Sequence, residues 1–247
     1  MHLPRSQAVV RFSLILLLLF GQGCATTGGA HDPRDPMEGF NRSVYTFNEF
    51  MDDHLFDPIS RAYQAVLPDF VDRGISNMFS NVGDVAVIAN DILQLKLGQA
   101  VQDIARVVFN TTIGIGGFFD VSSHIGLPKH DEDLGQTLGY WGVGPGPYLV
   151  APFFGPMTLR DAVGFGVQST FLYPVAYIDD DAYRAGAMAL NYVDFKADLL
   201  SAGRILGEAA LDEYEFVKNA YLDRRQNLIE DRAFGAGLDE SLDDSED

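Results

Sequence analysis

The 247-residue sequence predicts a mostly α-helical protein. Apolar residues recur at spacings of three and four in several stretches, which is the period of an amphipathic helix. No stretch shows the sustained apolar–polar alternation, bounded by turns, that is typical of a half-buried strand. One cysteine excludes an internal disulfide, so packing alone must stabilise the fold.

The first predicted element is an amphipathic helix that begins near residue 35. Asp35, Pro36 and Glu38 form a helix start, in which Asp35 caps, Pro36 takes the first helical position and Glu38 completes a capping box. One apolar face follows, made of Phe40, Val44, Phe47, Met51 and Leu55.

Further helices are predicted in order along the chain. Residues 69–81 indicate a second short helix, and residues 85–95 indicate a third. The next apolar stripe consists of Leu97, Val101, Ile104 and Val108. A C-terminal helix from about 208 to 231 is marked by Leu211, Tyr214, Val217, Tyr221 and Leu228.

The middle of the chain contains a long uncharged run, residues 134–159, followed after Arg160 and Asp161 by another at 162–178. The first run holds six glycines and four prolines, a density that a regular helix does not carry. It is either a core with glycine- and proline-rich loops or a segment embedded in a membrane, where irregular backbone must be buried in protein or line a wet cavity. The Arg160–Asp161 pair is either buried with a function or marks a turn at the surface.

The N-terminus resembles a bacterial lipoprotein signal. A basic start and a short apolar run precede Gly23 and Cys24, the single cysteine. Gly21 departs from the usual leucine of the motif, and an ordinary signal peptide with a chance cysteine is the alternative. We predict a signal peptide at 1–23 and an acylated Cys24, and because no Asp follows Cys24 we expect sorting to the outer membrane.

Charge limits the partners of the mature chain. Residues 24–247 carry 15 Lys+Arg against 35 Asp+Glu, a net charge of −20. Such a chain is repelled by nucleic acid, and its membrane attachment must come from acyl chains and apolar surface. Residues 24–34 are predicted to form a flexible tether, residues 35–231 a single domain, and residues 232–247 a disordered acidic tail.

No motif for catalysis or cofactor binding is found. The sequence lacks a G-x-S-x-G elbow and an H-E-x-x-H helix, and residues 114–117 lack the third glycine of a dinucleotide loop. His124 and His130 lie near the acidic run 131–133, which we interpret as a solvated loop rather than a weak metal site. We therefore predict no catalytic residues, no metal and no cofactor.

Five ordered blocks that together extend over about 35–231 resemble the MlaA (VacJ) family. They are DPMEGFNRSVYTFNEF (35–50), NDILQLK (90–96), RVVFNTTIGIGGFFDVSSHIGL (106–127), LGQTLGYWGVGPGPYLVAPFFGPMTLRDAVG (134–164) and KNAYLDRRQNLIED (218–231). The weak lipobox, the acidic tail and residues 165–210 depart from the family pattern.

The resemblance implies an outer-membrane lipoprotein, not an enzyme, that maintains lipid asymmetry. Such proteins form a membrane-embedded ring of helices in the periplasmic leaflet with an amphipathic channel. Phospholipid mislocalised to the outer leaflet passes through this channel to a soluble periplasmic carrier, MlaC, and family members associate with trimeric porins. A passive envelope scaffold and a phospholipase remain as alternatives.

The resemblance and the residue types together suggest a lipid path. Residues 110–117 and 134–161 would line it, and polar candidates for the headgroup are Asn110, Thr111, Thr112, Arg160 and Asp161. Gly114, Gly116 and Gly117 would let a loop bend or would mark close packing, and Gly144 lies in the uncharged part of the path. The face of Phe40, Val44, Phe47 and Met51 is expected to contact lipid or to close the ring.

Overall fold

The computed structural model describes residues 32–209 and 211–231. The predicted signal peptide, Cys24, most of the tether and the acidic tail lie outside these residues. The described chain forms the helices α1 (Glu38–Met51), α2 (Asp57–Val66), α3 (Asp69–Leu93), α4 (Leu97–Thr112), α5 (Val121–His124), α6 (Leu134–Tyr140), α7 (Leu159–Phe171), α8 (Asp181–Ala209) and α9 (Glu213–Ile229). A π-helical segment, Asp52–Phe56, joins α1 to α2, and a 3₁₀ turn, Pro174–Tyr177, precedes α8.

The mostly helical class is confirmed, but two predicted helices are one. The separate helices expected at 69–81 and 85–95 are the single helix α3, whose inner face continues through Asn81, Asp84 and Asn90. Because this inner face is largely polar, a search for apolar periodicity divided one helix into two. Helix α3 packs against α4, to which the short turn at 94–96 connects it.

The predicted capping box at residue 35 is wrong. Helix α1 begins at Glu38, and Met37 occupies the N-cap position without a side-chain hydrogen bond to the helix. Asp35 is instead fully buried, where its carboxylate accepts hydrogen bonds from Asn41 Nδ2 at 2.7 Å and from the Tyr214 hydroxyl. The residue therefore connects the start of α1 to α9.

A short β-hairpin lies inside the uncharged run. Strands β1 (Tyr148–Ala151) and β2 (Gly155–Thr158) pair antiparallel, with Tyr148 opposite Thr158 and Ala151 opposite Gly155. Four residues are too few to establish an alternating pattern, and Pro156 is atypical of a strand, so sequence analysis missed the hairpin. Around it lies a small apolar cluster of Tyr148, Val150 and Tyr214.

Burial in this protein is inverted relative to a water-soluble domain. Among the described residues, buried polar and charged side chains outnumber buried hydrophobic ones by more than two to one. Large hydrophobic side chains are instead exposed on every helix from α1 to α4 and on α7. Soluble proteins bury Val, Leu, Ile and Phe and seldom bury Asp unless it is paired. Within the described residues, none of the helices has the length and apolar character needed to cross a bilayer.

Candidate functional site

The surface of the described residues carries exposed apolar side chains that we call the apolar belt. Helix α4 shows the pattern clearly, because Ala100, Asp103, Arg106 and Asn110 are buried while its apolar stripe is exposed. The belt consists of Phe40, Phe47, Leu97, Val101, Ile104, Val108, Trp141, Val143, Val163, Phe165 and Val167.

The predicted face of α1 divides between this belt and the interior. Phe40 is 46% and Phe47 41% exposed, whereas Val44 and Met51 are half-buried. The fully buried residue of α1 is Asn41, a polar residue that lies outside the predicted apolar face. Helix α1 therefore exposes its two phenylalanines and buries a polar amide.

A buried polar network connects α3, α6 and α7. Asn90 Nδ2 donates to Gln168 Oε1 at 3.0 Å, and its Oδ1 accepts from the Thr137 hydroxyl at 2.8 Å. Gln94 Nε2 donates to Thr137 Oγ1 at 3.0 Å and to Glu132 Oε2 at 2.8 Å. Sequence analysis did not identify this network, although Asn90 and Gln94 stand four residues apart in the otherwise apolar block 90–96.

Arg160 and Asp161 are buried, which excludes the alternative that the pair marks a turn at the surface. They are 7% and 8% exposed and form an ion pair of 3.1 Å. Asp161 also pairs with Arg225 of α9 at 2.9 Å and accepts a hydrogen bond from the Tyr221 hydroxyl at 2.7 Å. Burial acts to raise the pKa of Asp161, but Arg225, Tyr221 and Arg160 outweigh it, so the pKa lies below its usual value.

Arg160 also supports the turn that precedes the hairpin. Its Nη1 donates to the Val143 carbonyl at 3.3 Å, and its backbone N–H donates to the Pro145 carbonyl at 3.1 Å. Gly144 is exposed in this turn, where an added Cβ would meet no atom within 4 Å. The structure thus brings Arg160 close to the Gly144 turn and leaves Gly144 accessible.

The predicted polar residues at the end of α4 have separate roles. Asn110 is buried, where its Nδ2 donates to Asp120 Oδ1 at 3.0 Å and its Oδ1 accepts from the Ser122 N–H at 2.9 Å. Thr111 Oγ1 accepts from Asn81 Nδ2 at 3.0 Å. Thr112 is exposed, and its hydroxyl donates only within its own helix among the described contacts.

The glycines after α4 form a tight turn. A Cβ at Gly114 would lie 2.2 Å from the Phe119 carbonyl oxygen, and one at Gly117 would lie 2.6 Å from Asn81 Cβ. Gly117 also has φ of +91°, a conformation that glycine adopts without strain. Gly116, with φ of +69°, faces open space. Close packing therefore accounts for Gly114 and Gly117.

The predicted path residues fall into two groups. Residues 110–117 lie at the end of α4, and Gly144, Arg160 and Asp161 lie around the start of α7. No hydrogen bond or ion pair of the described residues joins the two groups directly.

The acidic run 131–133 is only in part the solvated loop that the sequence suggested, because Asp131 is exposed but Glu132 and Asp133 contact other parts of the fold. Glu132 is buried, where Lys96 Nζ lies 2.8 Å from its Oε1. Asp133 caps α6 through the Gln136 N–H at 2.8 Å and pairs with Arg225. Lys96 and Arg225, both distant in sequence, bind these acids and draw the loop inward. Within residues 32–209 and 211–231, no three metal-ligating side chains form a group that would hold an ion.

Comparison with known proteins identifies relatives along nearly the whole chain. The model of the MlaA lipoprotein family matches residues 33–228. The Intermembrane phospholipid transport system lipoprotein MlaA of Shigella flexneri is 36% identical over 208 residues, which is 82% of this chain and 81% of that protein. The protein of the same name from Escherichia coli K12 is 35% identical over 208 residues, with 82% and 81% coverage.

A solved structure agrees in fold. It concerns the structural basis for maintenance of bacterial outer membrane lipid asymmetry, and its matching chain is 30% identical with a TM-score of 0.70. The match covers 79% of this chain and 98% of that chain. Sequence and fold agree over the same region, and the chain belongs to the MlaA lipoprotein family.

Proposed function

We propose that this protein is an outer-membrane lipoprotein that removes mislocalised phospholipid from the outer leaflet and passes it to a soluble periplasmic carrier. Two relatives that are 35% and 36% identical carry the name of an intermembrane phospholipid transport lipoprotein. The inverted burial pattern is the structural observation that carries the proposal. No bond is broken in such a process, so the protein acts as a transport component rather than an enzyme.

The apolar belt supports placement in the membrane. Removing one Val, Leu, Ile or Phe side chain from water contributes about 1.5–3 kcal/mol, so a belt of many such residues strongly favours contact with lipid chains. The net charge of −18 for the whole sequence gives no electrostatic attraction to anionic lipid. We infer that the domain lies in the periplasmic leaflet, where its exposed apolar side chains contact acyl chains and Cys24 supplies the anchor.

The polar interior supports a path for a headgroup. A ring of helices with apolar residues outside and polar residues inside would give an amphipathic channel. We propose that residues of 110–117 and 134–161 line this path, whereas Trp141 and Val143 of the second segment belong to the apolar belt. Thr112 and Gly144 are exposed, one in each segment. Arg160 would act near the path by holding the Gly144 turn, because two of its guanidinium nitrogens already contact Asp161 and a third contacts Val143.

Two partners follow from this proposal. A trimeric porin would give the domain access to the outer leaflet, and an MlaC-like carrier would receive the lipid on the periplasmic side. The resemblance to the MlaA family implies both partners. Co-purification measures the binding of each.

The function is tested by measuring outer-leaflet phospholipid in cells that lack the protein, with and without complementation. We expect surface phospholipid to rise on deletion and to return to the parental level with the wild-type gene. Unchanged surface phospholipid would contradict transport and favour the scaffold. Hydrolysis of labelled phospholipid by purified protein would favour a phospholipase instead.

The path is tested separately by single cysteines at Thr112 and Gly144. Each is placed in the protein anchored through Cys24, and small polar thiol reagents are applied to intact envelopes. We expect both cysteines to react and a bulky adduct to reduce lipid removal while porin binding is kept. A cysteine at Val101, in the apolar belt, is the matched control and is expected to resist the polar reagent. Inaccessible cysteines at both path positions would contradict the assignment.

A further inference from the structure

Two carboxyl groups meet in the interior between α3 and α4. Asp91 of α3 and Asp103 of α4 are both fully buried, and the Asp103 carboxyl group acts to raise the pKa of Asp91. Neither oxygen of Asp91 receives a hydrogen bond from the described residues, and the same holds for Asp103 Oδ1. Buried carboxylate oxygens without donors are rare, because desolvation is then uncompensated.

The charged groups near Asp91 and Asp103 do not remove the repulsion that two ionised carboxylates would have. His130 Nδ1 lies 2.9 Å from the other oxygen of Asp103. Lys96, from the turn between the helices, is 2.8 Å from Glu132 and 2.6 Å from Asp231, so its ammonium already contacts two other acids. Glu132, from the loop before α6, adds negative charge near Asp91.

The buried arginine of α4, Arg106, also has other partners. Arg106 follows Asp103 on α4, but its guanidinium contacts Asp120 at 3.2 Å and the Leu127 carbonyl at 2.7 Å. No described cation therefore lies within ion-pair distance of Asp91. The missing element between Asp91 and Asp103 is a hydrogen-bond donor.

We propose that Asp91 and Asp103 share one proton at neutral pH, and that this proton joins α3 to α4 as an O–H···O hydrogen bond. One carboxyl group is then the donor and the other the acceptor, and the pair carries one negative charge instead of two. Two carboxylates in contact cannot both ionise readily, as in other buried acid pairs. Burial, followed by the contact with Asp103, raises the pKa of Asp91 to about 7.

The shared proton makes the α3–α4 pair sensitive to pH. An Asp in the unfolded chain ionises near pH ~3.9, whereas the pKa of Asp91 in the folded protein is raised to about 7. Between these values the native state binds more protons than the unfolded state, so stability falls as the pH rises. Above this window the native state carries two facing carboxylates, and the connection between α3 and α4 is weakened. This inference does not depend on lipid transport.

The test compares wild type with Asp91→Asn, in which a neutral amide of similar shape supplies the donor. Unfolding equilibria of the full protein in micelles are measured at about pH 5 and about pH 8.5, on either side of the titration. At each pH we take the unfolding constant of Asp91→Asn divided by that of wild type. We expect this ratio to be at least tenfold lower at about pH 8.5 than at about pH 5. Asp69→Asn, an exposed carboxylate on the same helix, is the matched control and is expected to give a constant ratio.

Infrared spectroscopy provides a measurement that does not depend on how the variant folds. Wild-type protein near neutral pH should show the carbonyl absorption of a buried protonated carboxyl group, which disappears at alkaline pH. The absence of this band, or parallel pH profiles for wild type and Asp91→Asn, would overturn the proposal. Stabilisation by millimolar calcium that is lost in Asp91→Asn would also overturn it, because a cation and not a proton would then join the pair.

Discussion

Asn41 of α1 pairs with Val150 of β1 as though its side chain were part of a strand. Its Oδ1 accepts from the Val150 N–H at 3.0 Å, and its Nδ2 donates to the Tyr148 carbonyl at 3.0 Å. Asn48, seven residues later, repeats the pattern with the Phe153 N–H at 2.8 Å and the Ala151 carbonyl at 3.0 Å. Two side-chain amides of α1 thus hydrogen-bond backbone groups of β1 and of the turn that follows it.

Removing the first of these amides should destabilise the hairpin. Asn41→Ala leaves buried backbone groups and Asp35 without partners, which costs about 1–3 kcal/mol for each group left unsatisfied. Chemical unfolding in micelles measures the effect. Ser43→Ala, an exposed position on the same helix, should change stability by less than about 0.5 kcal/mol. Equal stability of the two variants would contradict a structural role for the Asn41 pairing.

A charge at Phe47 should weaken membrane association. Phe47 belongs to the apolar belt and contacts the Phe153 ring edge-on, with centroids 5.5 Å apart. Phe47→Asp places a carboxylate against acyl chains, and we expect vesicle binding to fall at least tenfold, about 1.4 kcal/mol, with loss of lipid removal in cells. Thr46→Asp, the adjacent exposed position, is the control. Normal binding and surface phospholipid in Phe47→Asp would show that this face does not contact lipid.

Neutralising Asp161 should destabilise the domain strongly above acidic pH. Asp161→Asn leaves Arg160 and Arg225 without a shared carboxylate, and breaking a buried ion pair typically costs about 3–5 kcal/mol. Because the native pKa of Asp161 is lowered, its contribution is present above the unfolded pKa of about 3.9 and is lost as the pH falls through the lower native value. The difference between variant and wild type should therefore shrink in acid.

The control for this prediction is a surface ion pair. Asp57→Asn removes the exposed pair with Arg61 at 3.0 Å, and exposed pairs contribute about 0–1 kcal/mol. Unfolding curves at several pH values compare the two variants. A small effect of Asp161→Asn, similar to that of Asp57→Asn, would contradict the assignment of Asp161 as the shared acceptor of α7 and α9.

The anchor is tested at Cys24, which lies outside the described residues. Mass spectrometry of the mature protein should find an acylated N-terminal Cys24, and Cys24→Ser should abolish both acylation and cleavage by the lipoprotein signal peptidase. An unmodified mature N-terminus in the wild type would contradict the lipoprotein assignment.

Sequence patterns identified the outward apolar faces better than the interior. The stripe of α4 and the phenylalanines of α1 were visible because their spacing is helical. Helix α3 was divided because its inner face consists largely of Asn and Asp, residue types that a search for apolar cores passes over. Apolar residues at helical spacing do not by themselves indicate whether the stripe packs in a core or contacts lipid.

The partners of the buried polar residues could not be predicted from the sequence, for a different reason. Asp161 meets Arg225 across 64 positions, and Asn90 meets Gln168 across 78. Such contacts depend on how distant helices pack, and neither residue's neighbours along the chain indicate them. Asp35 shows the opposite error, because its local capping pattern was plausible but the tertiary contacts with Asn41 and Tyr214 prevailed.

The central claim, that the apolar belt contacts lipid chains, is tested most directly through Trp141. It is the single tryptophan of the sequence, and it is 60% exposed while its Nε1 donates to the Leu93 carbonyl at 2.9 Å. With its polar atom satisfied by protein, the ring is suited to lipid contact. In vesicles of acyl-brominated phospholipid, we predict strong quenching of Trp141 fluorescence and protection from aqueous iodide, with Trp141→Phe giving the background. Efficient quenching by iodide together with no quenching by brominated lipid would contradict the claim.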